Sequence, residues 1–271
     1  MRVLVTVCAT LGIAFTTTCM LESLVDRILF QPSPGVDLHP RSLGIEAEEL
    51  WLQAEDEVRL HAYFLPGSPR GERVVLFLHG NAGNASHRLP NAAALARLGA
   101  DVLLLDYRGY GLSEGKPSRA GVVADARAAL VHLAQIRGYA PERTVIFGRS
   151  LGGAVALAVA PDAAPGGLIL ESTFTSLRDM ARSVAGPLGG LLVREGFDSL
   201  VQVAKIRAPL LFFHGDRDEV VPFELGRRLY AAAPGPKVFQ VIQGAGHNDT
   251  FEVGGHSYLE RIASFLYEVA P

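Results

Sequence analysis

Cysteine is nearly missing from this 271-residue chain: Cys8 and Cys19 are the only two, and both lie within the first 22 residues. The rest of the chain therefore has no disulfide and no thiolate metal site, and it can fold in either redox compartment. Excess charge is missing as well. Twenty-five Lys and Arg stand against 28 Asp and Glu, a net charge of −3, which removes the electrostatic case for a nucleic-acid partner. The eight histidines show no metal-binding spacing, and there is no Gly-x-x-x-x-Gly-Lys loop, dinucleotide fingerprint or internal repeat.

Charge is absent altogether between Arg2 and Glu22. The run Val3 to Leu21 reads as a secretory signal, a lipoprotein signal with Cys19 as the lipidated residue, or a short membrane anchor. Thr16-Thr17-Thr18 weakens the apolar run and makes a poor lipoprotein box, and a buried N-terminal helix is the alternative. On this reading residues 1–27 stand apart from a domain at 28–271. The protein is expected to be membrane-associated or exported, with the side of the membrane unassigned.

What is present is an alternation of short apolar runs and helical periods, enough chain for one α/β domain. After a Pro32–Pro40 linker, Glu48–Gln53 and Val58–Leu65 read as an antiparallel pair. Then come strand Val74–Leu78, helix Ser86–Leu98, strand Val102–Leu105, helix Arg119–Arg137, strand Thr144–Phe147 and helix Leu151–Ala160. Strands Leu168–Leu170 and Leu210–Phe213, helix Phe223–Ala232, strand Val238–Ile242 and helix His256–Val269 complete the pattern. Such spacing predicts a mostly parallel central sheet with helices on both faces.

Gly148-Arg149-Ser150-Leu151-Gly152 sits where a strand-like run meets a run of small helix-forming residues. A Gly-x-Ser-x-Gly match in that context is a nucleophile elbow, which lifts the Ser150 hydroxyl above the sheet edge. A serine hydroxyl is a weak nucleophile at neutral pH and needs a histidine base oriented by a carboxylate. Three histidines lie downstream of it: His214, His247 and His256. His247 lies in the glycine-flexible loop Gly244-Ala245-Gly246-His247-Asn248, after a strand, and is the expected base. The turn after Phe213 offers Asp216, Asp218 and Glu219. Asp218 is preferred because it precedes the Val220-Val221-Pro222 that re-enters the core; Asp216 is its rival and Glu171 a more remote one. The oxyanion donors are expected to be the backbone N–H groups of Leu151 and Asn81, the latter aimed by the turn at Gly80.

These motifs, with His79-Gly80-Asn81-Ala82-Gly83-Asn84, Asp106-Tyr107-Arg108-Gly109-Tyr110-Gly111 and Glu171-Ser172-Thr173-Phe174, resemble the α/β-hydrolase superfamily. More narrowly they are similar to its BEM46-like branch, whose members often carry a serine aminopeptidase label. The resemblance runs from about Ile28 to the C-terminus and implies the α/β-hydrolase fold, with Ser150, Asp218 and His247 as the triad. It implies no metal and no organic cofactor. The expected activity is hydrolysis of carboxylic esters or thioesters, the substrate being an acyl small molecule or an acylated protein. An amidase or peptidase, and a catalytically silent binding protein of the same fold, are the rival readings.

Residues 172–206 leave room for a small cap, broken by Gly186-Pro187. Leu188, Leu191, Leu192 and Phe197 are candidates to line an acyl pocket there, or to sit in the core. Asp106, Tyr107 and Arg108 are expected to form a structural network beneath the site.

Overall fold

The computed structural model describes residues 25–68, 71–193 and 196–270. The signal or anchor expected at Val3 to Leu21 lies outside these residues. Among the described residues no helix is long and apolar enough to cross a membrane.

Eight strands form one sheet: β1 (Glu48–Gln53), β2 (Arg59–Leu65), β3 (Val74–Leu78), β4 (Asp101–Leu105), β5 (Thr144–Arg149), β6 (Gly167–Glu171), β7 (Leu210–Gly215) and β8 (Lys237–Ile242). Their spatial order is β1-β2-β4-β3-β5-β6-β7-β8. The pairs β1–β2 and β2–β4 are antiparallel and the other five are parallel. A parallel sheet must be covered on both faces, so its strands are apolar at nearly every position. All residues of β3, β4, β5 and β7 are accordingly buried.

The pleat divides these runs between two cores. Val74, Leu76 and Leu78 face one, with α2 (Arg119–Val131) and α3 (Leu151–Ala163) packed over them. Val75 and Phe77 face the other, under α1 (Leu89–Ala96) and α7 (Thr250–Val269). Each fully buried Leu, Val or Phe contributes about 1.5–3 kcal/mol. Helix α6 (Phe223–Ala232) covers the first face near β7, and α4 (Leu177–Leu192) and α5 (Ser199–Val203) occupy the expected cap stretch. This is the α/β-hydrolase fold.

Four expectations change in detail. The helix expected at Ser86–Leu98 begins as a 3-10 turn, Ala85–Arg88, because the Asn84 side chain accepts from Ser86 N and Pro90 restricts the residue before it. The helix expected at Arg119–Arg137 keeps α geometry only to Val131 and widens into a π turn over His132–Ile136. The last helix starts at Thr250, six residues before His256, and breaks at Gly255, whose φ is 50°. The Pro32–Pro40 linker is held in place: Gln31–Pro32 pairs with Ala82–Gly83, and the Asn84 amide donates to the carbonyls of Ser33 and Gly35.

Residues 25–29 are helical and pack onto the domain through Val25, Leu29 and an Asp26–Arg119 ion pair of 2.8 Å. Residues 25–27 belong to the stretch expected to stand apart from the domain. In the stretch expected to form a cap, Leu188 and Leu191 are 75% and 71% exposed, while Phe197 packs at the edge of a buried cluster. Gly186, with φ 65°, kinks α4 just ahead of Pro187.

The Asp106–Arg108 segment carries the structural network expected of it. Arg108 bonds Asp125 through its backbone N–H (2.8 Å) and its guanidinium (2.7 Å), and also reaches Asp56 at 2.6 Å. Asp125 is fully buried, and burial outweighs Arg108 to push its carboxyl above the usual range. Removing the guanidinium strands that carboxylate. Arg108→Met is expected to cost about 3–5 kcal/mol in urea unfolding. The double variant Arg108→Met/Asp125→Asn should recover part of the loss, the two effects failing to add.

Candidate active site

The chain leaves β5, turns at Ser150 and enters α3 within a single residue. Ser150 has φ 53° and ψ −116°, a conformation that side chains rarely adopt. Three nearby glycines make the turn possible by having no side chains. A Cβ on Gly148 would lie 2.5 Å from the Gly152 carbonyl oxygen, one on Gly152 would strike the Leu78 carbonyl, and one on Gly153 would strike Thr173. The elbow thus rests on backbone-to-backbone packing of β3, β5 and α3.

His247 reaches the serine from the loop after β8, with Nε2 3.1 Å from Ser150 Oγ. Its Nδ1 lies 2.9 and 3.0 Å from the two oxygens of Asp218. With Nδ1–H donated to the carboxylate, Nε2 is the nitrogen free to accept the hydroxyl proton. The Asp218 side chain is fully buried. It accepts from the N–H groups of Val220 (3.0 Å) and Val221 (2.7 Å), and His214 Nε2 stands 3.3 Å away. Burial alone would raise its pKa. The bonds from His214 and His247, the charge of His247 and the Val221 N–H outweigh it and hold the carboxyl well below the usual carboxylate range.

The other carboxylates take different places. Asp216 accepts from Gly244 N at 2.6 Å and shapes the turn ahead of the His247 loop. Glu219 accepts the backbone N–H of His247 at 3.2 Å. His256 is exposed and pairs with Glu260.

Gly80 brings the loop after β3 over the serine: a Cβ built there would lie 3.6 Å from Ser150 Cβ. Asn81 comes next, its carbonyl held by Gln31 N (3.0 Å) and the Tyr110 hydroxyl (2.7 Å). Among the described residues neither Asn81 N–H nor Leu151 N–H has an acceptor. Leu151 opens a 13-residue helix, whose N-terminal end favours negative charge. No three His, Cys, Asp or Glu side chains among the described residues converge where a metal ion would sit.

Comparison with known proteins gives this geometry its relatives. The family described as serine aminopeptidase S33 matches residues 69–195. An α/β-hydrolase domain-containing protein of Arabidopsis thaliana, WAV2, is 38% identical over 289 residues, 96% of this chain and 93% of that protein. Protein bem46 of Schizosaccharomyces pombe is 36% identical over 84% of this chain and 79% of its own length. This chain is a BEM46-like α/β hydrolase. An uncharacterized protein of Mycobacterium tuberculosis is 39% identical over 90% of this chain and 88% of its own. Among solved structures, the Pyrococcus furiosus esterase Pf2001 overlays with a TM-score of 0.74 at 22% identity, over 89% of this chain and all of that one, a likeness of fold.

Beneath the histidine, this hydrolase carries a buried charge network that the sequence reading did not single out. Arg149 donates to the His247 carbonyl at 2.7 Å, and its Nε stands 2.9 Å from Glu171. Glu171 accepts in turn from Thr250 (2.7 Å) and from Tyr258. Glu171, the remote candidate acid, therefore belongs to the scaffold of the His247 loop. The available signal was Arg149 itself, a charge set between glycines at the end of a buried strand. His79 plays a similar part under the Gly80 turn. Its Nδ1 bonds the Gly80 carbonyl at 2.7 Å, and its ring packs against Tyr107 and Tyr110.

Burial pushes the His79 pKa from 6.5 down to about 4, against the pull of Asp106. Between those values the unfolded chain holds the extra proton. The stability due to neutral His79 is thus complete above pH 6.5 and drains away as the pH falls toward 4, an effect of about 3 kcal/mol. Urea midpoints measured from pH 7 to 4.5 should fall less steeply in His79→Phe than in the parent. Backbone strain at Ser150 is checked separately. Ser150→Gly and Ser150→Ala both lose the hydroxyl, but only glycine relaxes the positive φ, so the glycine variant should be more stable by about 1 kcal/mol. Equal stabilities would mean the turn is unstrained.

Proposed function

We propose that this hydrolase cleaves carboxylic esters or thioesters through a Ser150 acyl-enzyme. The observation that carries this reading is the chain of contacts from Ser150 Oγ to His247 Nε2 at 3.1 Å and from His247 Nδ1 to buried Asp218 at 2.9 Å. Ser150 Oγ attacks the acyl carbon while Nε2 takes its proton. The depressed pKa of Asp218 keeps its carboxylate charged beside the imidazolium. The N–H groups of Asn81 and Leu151 stabilise the tetrahedral oxyanion, and the imidazolium returns its proton to the departing alcohol or thiol. Water, deprotonated by His247, then releases the acid and restores the serine.

The aminopeptidase name attached to the family is not carried over. A substrate with a free amine end needs an anionic partner beside the serine. Asp218 is buried against His247, and Glu171 against Arg149. The uncharged run from Val3 to Leu21 supports association with a membrane or export across it. A small acyl ester, a thioester or an acylated protein fits this reading as substrate.

The test uses the full chain with a fluorophosphonate probe and p-nitrophenyl acetate. Label and turnover should both vanish in Ser150→Ala, and Asp218→Asn should lower kcat by roughly 10³–10⁴-fold with the fold intact. Asp216→Asn should leave kcat nearly unchanged. A folded wild type that takes no label and turns over no ester would return the protein to the silent-binding reading.

A further inference from the structure

A cavity of about 320 Å³ opens between residues 25–29 and helix α4. Val25, Ile28 and Leu29 line one side, and Met180, Val184 and Val193 are among the residues lining the other. Every described residue that lines it is apolar or glycine. A peptide buried there would leave its backbone N–H and C=O groups without partners. A molecule that fits must be free of polar groups along its buried length, as an alkyl chain is. The volume falls within the range of small-molecule sites.

Two sets of contacts join the walls of this cavity to segments that flank Ser150 and Asp218. Leu29, in the wall, gives its carbonyl to the Asn81 side-chain amide at 3.1 Å. Asn81 is next in the chain after Gly80, the residue packed over Ser150. On the other side Leu177 and Val193 share a buried cluster with Ala154 and Val221. Ala154 lies in the first turn of α3 after Ser150, and Val221 N–H holds Asp218. The wall of the cavity is therefore built on the segments that carry the reacting groups. At its mouth Ile28 and Val184 are 68% and 81% exposed, so the opening is apolar too.

We propose that this cavity holds the acyl chain of the substrate, with residues 25–29 as one wall. The assignment rests on the ester and thioester reading above. It gives the chain just after the uncharged N-terminal run a part in substrate recognition. It also builds the acyl site from residues of α4 other than Leu188 and Leu191.

The experiment compares full-length wild type with Ala181→Trp, which fills the cavity, and Val184→Glu, which puts a carboxylate at its exposed mouth. The second cannot fail for want of core packing, and thermal melts check both. Three readouts are taken: fluorophosphonate labelling, kcat/KM on p-nitrophenyl acetate and decanoate, and cis-parinaric acid fluorescence in a Ser150→Ala background. Both variants should lower kcat/KM on decanoate by roughly tenfold or more, leave acetate within about twofold, and weaken the fatty-acid probe by a similar factor. An S-decanoyl cysteinyl peptide separates the sources of the chain: its turnover assigns an acylated protein, and turnover confined to the small ester assigns a lipid ester.

Intact labelling with an unchanged decanoate-to-acetate ratio and unchanged probe binding would overturn the cavity assignment while the hydrolase reading stands. Probe binding that both variants abolish, in a chain that never labels, would keep the alkyl-chain site and sink the hydrolase reading. A wild type that binds no probe and shows no preference for decanoate would overturn the proposal, leaving the cavity to another occupant such as the chain's own first 24 residues.

Discussion

Everything in this molecule is arranged around the crossing of β3, β5 and α3 at Ser150. Three positions, Gly148, Gly152 and Gly153, are packed so closely that a single added carbon at any of them collides with backbone or with Thr173. That closeness lets one residue carry the chain from strand to helix, and it leaves Ser150 in its unfavourable backbone conformation. The strain is offset by the two apolar cores on either side of the sheet, which fix β5 and α3 independently of the turn. A looser crossing would free the serine backbone and lower the hydroxyl back toward the sheet.

The site is also an exercise in placing charge out of water. Asp218, Glu171, Arg149 and Asp106 are all buried or nearly so, and each has its partners within hydrogen-bonding reach. Buried ion pairs contribute little net stability, but removing one partner is severe, so such groups fix a single arrangement firmly. Arg149 illustrates the division of labour. It lies next to Ser150 in the chain yet touches the backbone of His247, 98 residues away. The serine and the loop that carries its partner are thereby registered against each other through a charge that faces neither substrate nor solvent.

The parallel strands were readable because burial on both faces writes them as unbroken apolar runs, and the elbow was readable because sterics permit so few residues there. Asp218 was separable from Asp216 through the Val220-Val221-Pro222 that follows it: Val221 is buried, and the N–H groups of both valines point at its carboxylate. The Arg149–Glu171 pair was hidden because its members lie on different strands and their roles depend on a register that no local pattern encodes. The start of the last helix was misplaced for a similar reason. The helix runs on ahead of the Gly255 kink to Thr250, which bonds Glu171 across the fold.

The stitching of residues 26–35 onto the body of the protein bears on how the chain assembles. Gln31 pairs with Ala82, Pro34 bridges to Gly111, and Asp26 reaches Arg119, 93 residues further on. Contacts of such long range close large loops and come late in folding. During synthesis residues 26–35 must wait, unpaired, until Ala82, Gly111 and Arg119 have emerged behind them. The loop over Ser150 is completed only when that waiting strand docks, so the site is assembled from segments far apart in sequence rather than growing outward from the serine.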